Sequence, residues 1–186
     1  MIRDKVLILG NGTTRLLYDD FILHWKEEIW ACNWAFKEAK TYNKISRIGT
    51  VHDYVIIEAL LFQTNNNTNY TIWTLSSVLD STKNDIIKKS PLVKTFIYKK
   101  GYTTGTLMIL QALYEKKDIY LTGFDMGGPD IYQKTDRPPN AFRRQYQQII
   151  DKFGTEYIHF VGNKPSLDSV TYNIKNDRAV DYEEVK

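Results

Sequence analysis

Residues 99–128 constrain the fold more tightly than any other stretch of this chain. They run KKGYTTGTLMILQALYEKKDIYLTGFDMGG and read as turn, helix, short loop, strand and glycine-acid turn. Residues 99–103 carry charge, Gly101 and hydroxyls, the composition of a loop. Thr103 or Thr104 can cap a helix, because a hydroxyl accepts a bond from an orphan N–H of the first turn. Leu107, Leu110 and Leu113 then recur at helical spacing, and Met108, Gln111 and Ala112 lie among them, which gives a wide apolar stripe. Lys116 and Lys117 put positive charge where the C-terminal dipole favours it. Residues 119–122 are a short, mostly apolar strand that stops at Gly123-Phe124-Asp125.

A helix feeding a buried strand, with glycine and a carboxylate at the strand's carboxyl end, is half of an α/β unit. In open parallel sheets ligands sit outside the carboxyl ends of the strands. A helix N-terminus such as the one at Thr104-Gly105 attracts phosphate or carboxylate. Each feature alone also has a plain reading: Thr103–Gly105 as a cap, Asp125 as a solvated loop acid.

The same punctuation recurs upstream. Lys5–Leu9 is an apolar run ending in Gly10-Asn11-Gly12-Thr13-Thr14. The turn lacks the third glycine of a dinucleotide fingerprint and the Lys-Ser/Thr pair of a P-loop. Its glycines allow close backbone approach, and Asn11 offers a donor and an acceptor. Glu28–Cys32 is a second strand, ending at Asn33. Neighbouring ends in a parallel sheet lie about 5 Å apart, so Asn11 and Asn33 can face one ligand. Residues 44–51 form a third strand ending at His52-Asp53, where Asp53 is also a natural helix N-cap. A helix is expected over residues 54–62 and an exposed polar loop over 63–69. Strands are expected over 70–75, 92–98 and 156–161, and a helix over 141–153 capped by Asn140. Residues 16–25 read as helix or loop, and residues 77–89 as a surface helix or turn.

These alternating elements imply an α/β fold: one Rossmann-like domain with a mostly parallel central sheet and helices on both faces. Its expected bounds are residues 1–163, with 164–186 a polar C-terminal extension. With 186 residues, 42% of them hydrophobic, the chain suffices for one domain with a sizeable core. The net charge of +3, without an obvious basic cluster, gives no strong nucleic-acid signature. Cys32 is the one cysteine, so no internal disulfide framework is expected. No run is long and apolar enough for a transmembrane segment and no signal peptide is visible, so the expected location is cytoplasmic.

Residues 99–128 resemble the sialylmotif S of the sialyltransferases and the Thr-Ser-Gly region of the bacterial lipooligosaccharide sialyltransferases. The residues carrying the resemblance are Thr104, Gly105, Met108, Ala112, Leu113, Ile119, Tyr120, Leu121, Gly123, Phe124 and Asp125. It extends to Gly10-Asn11-Gly12-Thr13, which resembles that family's Gly-Asn-Gly-Pro/Ser, and to Ala31-Cys32-Asn33, which resembles its Arg-Cys-Asn with Ala31 in place of the arginine.

The resemblance implies a Rossmann-like transferase that takes a CMP-sugar, or another nucleotide sugar, and passes the sugar to a hydroxyl on a glycan or other acceptor. It implies donor contacts from Asn11, Gly12, Thr13, Asn33, Thr104 and Gly105, and a phosphate contact from a lid tyrosine, for which Tyr132 is the match. It implies no metal and no further cofactor, and the chain lacks an Asp-x-Asp motif. A homo-oligomer is compatible with the short lid.

One departure concerns catalysis. The family's base is a histidine in or after the lid, and residues 129–155 contain none. That leaves His52, Asp53 and Asp125 as candidate catalytic groups, since a buried carboxylate can act as a base. The alternative is a non-catalytic nucleotide- or sugar-binding protein that keeps the donor cleft. A third reading, a phosphotransferase or hydrolase on the same sheet, lacks the Walker and G-x-S-x-G residues of its common forms.

Overall fold

The structure is a computed structural model and describes residues 2–98, 103–133 and 143–162. Seven strands form one sheet: β1 (Lys5–Leu9), β2 (Glu28–Cys32), β3 (Ile45–Gly49), β4 (Thr71–Thr74), β5 (Val93–Thr95), β6 (Asp118–Thr122) and β7 (Ile158–Phe160). Their order is β5-β4-β3-β2-β1-β6-β7, and every pairing is parallel. The fold is therefore α/β and Rossmann-like, with a sheet that is parallel throughout.

β1 lies inside the sheet, between β2 and β6, and both its faces are apolar, as a strand covered on two sides requires. Val6 and Ile8 pack beneath α5 (Thr104–Tyr114) and α6 (Arg143–Phe153). Leu7 and Leu9 pack on the other face with Val55, Ile56 and Ala59 of α2 (Asp53–Asn66). These four side chains are fully buried. At about 1.5–3 kcal/mol for each such side chain, this strand alone makes a large contribution to the core.

α5 is buried at every position from Thr106 to Ala112. A helix so enclosed acts as a rigid wall rather than a surface cover, and its N-terminus opens at the carboxyl ends of β1, β2 and β6. The chain leaves β1 toward β2 on one side, while β6 lies on the other. This is the topological switch point, where open parallel sheets form their crevice.

Several expected elements shift. Residues 16–25 divide into a 3-10 helix, Thr13–Tyr18, and the short α1 (Asp19–His24). Residues 77–89 divide into α3 (Ser76–Ser81) and α4 (Asp85–Lys89). The polar segment 63–69 is not all loop. α2 continues to Asn66 and stops at Asn67, whose φ of 51° is the left-handed conformation of a helix end. The cause is Gln63, which is buried and donates its side-chain amide to the Tyr70 carbonyl at 2.9 Å. The last helix is described from Arg143 and ends at Gly154, whose φ is 75°. Asn140, Ala141 and the extension 164–186 lie outside the described residues.

Candidate functional site

The turn after β1 is built against the turn after β6. Gly10 N–H donates to the Thr122 carbonyl and Gly12 N–H to the Gly123 carbonyl, both at 2.8 Å. The backbones are so close that a Cβ on Gly10 would collide with the Gly123 carbonyl. Gly123 itself has φ +72°, a conformation that suits glycine. Farther along, Ile131 N–H donates to the Asn11 carbonyl at 2.9 Å, and Gly12 pairs with Asp130 in an antiparallel bridge. Two stretches distant in sequence, residues 10–12 and residues 122–131, thus form one rim.

A cavity opens inside that rim. Gly10 and Asn11 line it from the turn after β1, Cys32 and Asn33 from the end of β2 and the residue beyond it, and Phe124 and Met126 from the turn after β6. Gly105, Thr106 and Ile109 of α5 close one wall, and Tyr146 of α6 and Asp130 complete it. Asn11 is only 6% exposed, and its Oδ1 has no hydrogen-bond partner. A buried acceptor without a donor costs about 1–3 kcal/mol. Asn33 adopts a left-handed φ of 46°, and its Oδ1 accepts the Thr104 hydroxyl at 3.1 Å. Two candidate residues, one just after β2 and one at the start of α5, therefore hold each other.

α5 begins at Thr104 with Thr103 as its cap residue, although Thr103 makes no side-chain cap bond to the helix backbone. Gln145 of α6 supplies the tie instead: its Oε1 accepts Thr103 N–H at 3.1 Å and the Thr106 hydroxyl at 2.8 Å. The first-turn N–H groups have no carbonyl within the helix to bond, which leaves them for an anionic or carbonyl group in the cavity.

The remaining candidate residues sit elsewhere. The Asp125 carboxylate accepts Thr14 N–H at 3.2 Å and the Thr14 hydroxyl, and it packs against Gly12. It braces the turn and does not line the cavity. Thr13 opens the 3-10 helix beside it. Tyr132 does not reach the cavity either. Its hydroxyl donates to Glu38 and accepts from Arg15 Nη2 at 2.7 Å, while Arg15 also pairs with Glu38. Burial pushes the Tyr132 pKa up. His52 and Asp53 start α2: Asp53 Oδ1 accepts Tyr54 N–H at 2.7 Å, and the His52 ring lies 5.4 Å from that of Tyr54. Desolvation lowers the His52 pKa, opposed in part by Asp53.

None of the three histidines lines the cavity: His24 is in α1, and His159 in β7 bonds Asp118 at 2.7 Å. Two polar residues escaped the sequence reading. Asp130 looked like loop, and only its pairing with Gly12 brings it to the rim. Arg15, fully buried, falls between the glycine turn and the segment 16–25 and was given no role. Among the described residues no three of His, Cys, Asp and Glu gather as metal ligands, and no helix is long and apolar enough to cross a membrane.

No family model and no curated protein matches the sequence. In structure the chain is similar to the sialyltransferase CstII from Campylobacter jejuni, solved in complex with the substrate analogue cytidine-5'-monophosphate. The two superpose with a TM-score of 0.56 over 97% of this chain and 95% of that one, at 15% sequence identity. The fold is sialyltransferase-like. At that identity the likeness concerns architecture. A sialyltransferase-like fold accounts for the all-parallel sheet and for a crevice beside β1, and it leaves the chemistry to the residues that line that crevice.

Proposed function

We propose that the chain is a glycosyltransferase of the sialyltransferase type, moving a sugar from a CMP-sugar to an acceptor hydroxyl without a metal ion. The observation that carries this reading is the buried, unpartnered Asn11 Oδ1 in a cavity shared with Asn33 and the N-terminus of α5. A cytosine amino group or a ribose hydroxyl supplies the missing donor. Asn33, held by Thr104, presents an oriented amide to the nucleotide. The α5 N-terminus at Thr104 and Gly105 suits the phosphate or the sugar carboxylate, since its dipole and first-turn N–H groups favour negative charge. Gly12 and Thr13 shape the turn that carries Asn11.

Calorimetry of CMP, UMP, GMP and AMP, with and without EDTA, tests the reading. The expected result is selective CMP binding that EDTA leaves unchanged and that weakens in Asn33→Gly and Thr104→Ala. Equal binding of all four nucleotides, or of none, removes the donor assignment.

The absence of any histidine from the cavity lining favours a second reading, a nucleotide-sugar-binding protein without turnover. Acceptor-independent hydrolysis of the donor separates the two, because a working transferase admits water to its donor site and a pure binder releases no CMP.

A further inference from the structure

Among the described residues that line the cavity, the carboxylate is that of Asp130. Its backbone is fixed twice, by the bridge to Gly12 and by the neighbouring Ile131 N–H on the Asn11 carbonyl. Its head group is oriented as well: Oδ1 accepts Tyr132 N–H at 2.8 Å and Gln133 N–H at 3.1 Å. Tyr132 is in turn anchored through its hydroxyl to the buried Arg15 and to Glu38. An acid in a loop is thereby held as firmly as one on a strand, a few atoms from the turn that carries Asn11. Such pre-positioning is what a proton acceptor at a reacting centre needs.

We infer that Asp130 is the general base of the proposed transfer, a role that rests on the CMP-sugar reading above. The acceptor oxygen forms a bond to the anomeric carbon of the donor sugar as its hydroxyl proton passes to the Asp130 carboxylate. The anomeric C–O bond to the phosphate breaks, and its electron pair leaves with the phosphate oxygen of CMP. Asp130 then returns the proton to solvent. In donor hydrolysis water takes the acceptor's place and loses its proton by the same route. Asp125 is ill placed for this step because it stands outside the cavity lining, and His52 and Asp53 belong to the start of α2.

The test uses Asp130→Asn and Asp130→Ser. Both keep a side-chain oxygen able to accept the Tyr132 N–H and so preserve the turn, and both remove the carboxylate. CMP affinity is measured by calorimetry, and CMP release from CMP-sialic acid is followed with and without lactose as a soluble acceptor. The expected result is CMP affinity like that of the parent with turnover lower by about 100-fold or more in both variants. Turnover within about threefold of the parent overturns the inference and leaves the CMP-sugar reading standing. Loss of CMP binding in both variants also overturns it and assigns Asp130 to holding the rim. A parent that binds CMP but never cleaves the donor overturns it in favour of the non-catalytic reading. A parent that does not bind CMP removes the donor reading itself, and the inference with it.

Discussion

Asp125 accepts both the backbone N–H and the hydroxyl of Thr14, a residue 111 positions earlier in the chain. The pair joins the end of β6 to the start of the 3-10 helix after β1, and so steadies the turn on which Asn11 sits. Asp125→Ala removes two acceptor bonds at a partly exposed site, a loss of about 1–2 kcal/mol. For a chain of this length that lowers Tm by about 2–4 °C per kcal/mol. Thermal denaturation of Asp125→Ala and Thr14→Ala is expected to show similar losses, and the double variant is expected to lose less than their sum.

Asn33 offers two different tests at one position. Its φ of 46° strains any residue with a Cβ that lacks asparagine's tolerance for the left-handed region. Asn33→Ala therefore adds about 1 kcal/mol of backbone strain to the loss of the Thr104 contact, whereas Asn33→Gly removes the side chain alone. Both variants should lose CMP selectivity, and thermal melts should rank Asn33→Gly above Asn33→Ala. The reverse order in the melts would show that the left-handed conformation is not maintained.

Arg15 is fully buried; its charge is balanced by Glu38, and the neutral Tyr132 hydroxyl accepts one of its N–H groups. Burial by itself pulls the Arg15 pKa down, and these two partners more than offset it, so the guanidinium stays charged. Glu38→Ala strands that charge in the interior, and loss of about 3–5 kcal/mol is expected in urea denaturation. Tyr132→Phe keeps the ion pair and should cost only about 1–2 kcal/mol. The ranking of the two variants is the result that matters.

His52 gives the protein a mild acid sensitivity. Its folded-state pKa lies below the ordinary value near 6.5, because desolvation of the ring disfavours the imidazolium. The unfolded chain thus binds the proton more readily. The stabilising contribution of the neutral ring is complete above about pH 6.5 and is lost as the pH falls through the folded-state value. His52→Gln should flatten this dependence in melts run between about pH 7.5 and about pH 5.5. The effect is small because the side chain meets solvent and is screened.

The strands that matter most were legible because a buried parallel strand has a plain signature. Lys5–Leu9, Glu28–Cys32 and the strand before Gly123 are short apolar runs closed by glycine or asparagine, and their ends meet because parallel neighbours share a direction. That is why Asn11 and Asn33 arrive at one cavity. β5 was overdrawn, since residues 92–98 have strand composition but only Val93–Thr95 find a partner at the sheet edge. The segment 63–69 misled because its composition is that of a loop, while one amide, Gln63, finds a buried carbonyl and carries the helix onward. Asp130 and Arg15 were not legible at all. The contacts that place them, Gly12 for Asp130 and Glu38 and Tyr132 for Arg15, lie 23 to about 120 residues away, and no local pattern encodes a contact made across turns.

The pairing of β1 with β6 also bears on how the chain is made. Lys5 lies opposite Asp118 and Leu9 opposite Thr122, so during synthesis β1 waits for more than a hundred residues before one of its two edges is covered. Until then Val6 and Ile8 have β2 beside them but neither β6 nor the α5 wall above them. A nascent chain in that condition carries an open, strongly apolar strand edge, which is a template for pairing with another copy. Closure of the β1–β6 seam joins contacts of long sequence separation, so it is expected to come late and to set the pace of folding. The crevice beside that seam can form only after the sheet has passed this slow step.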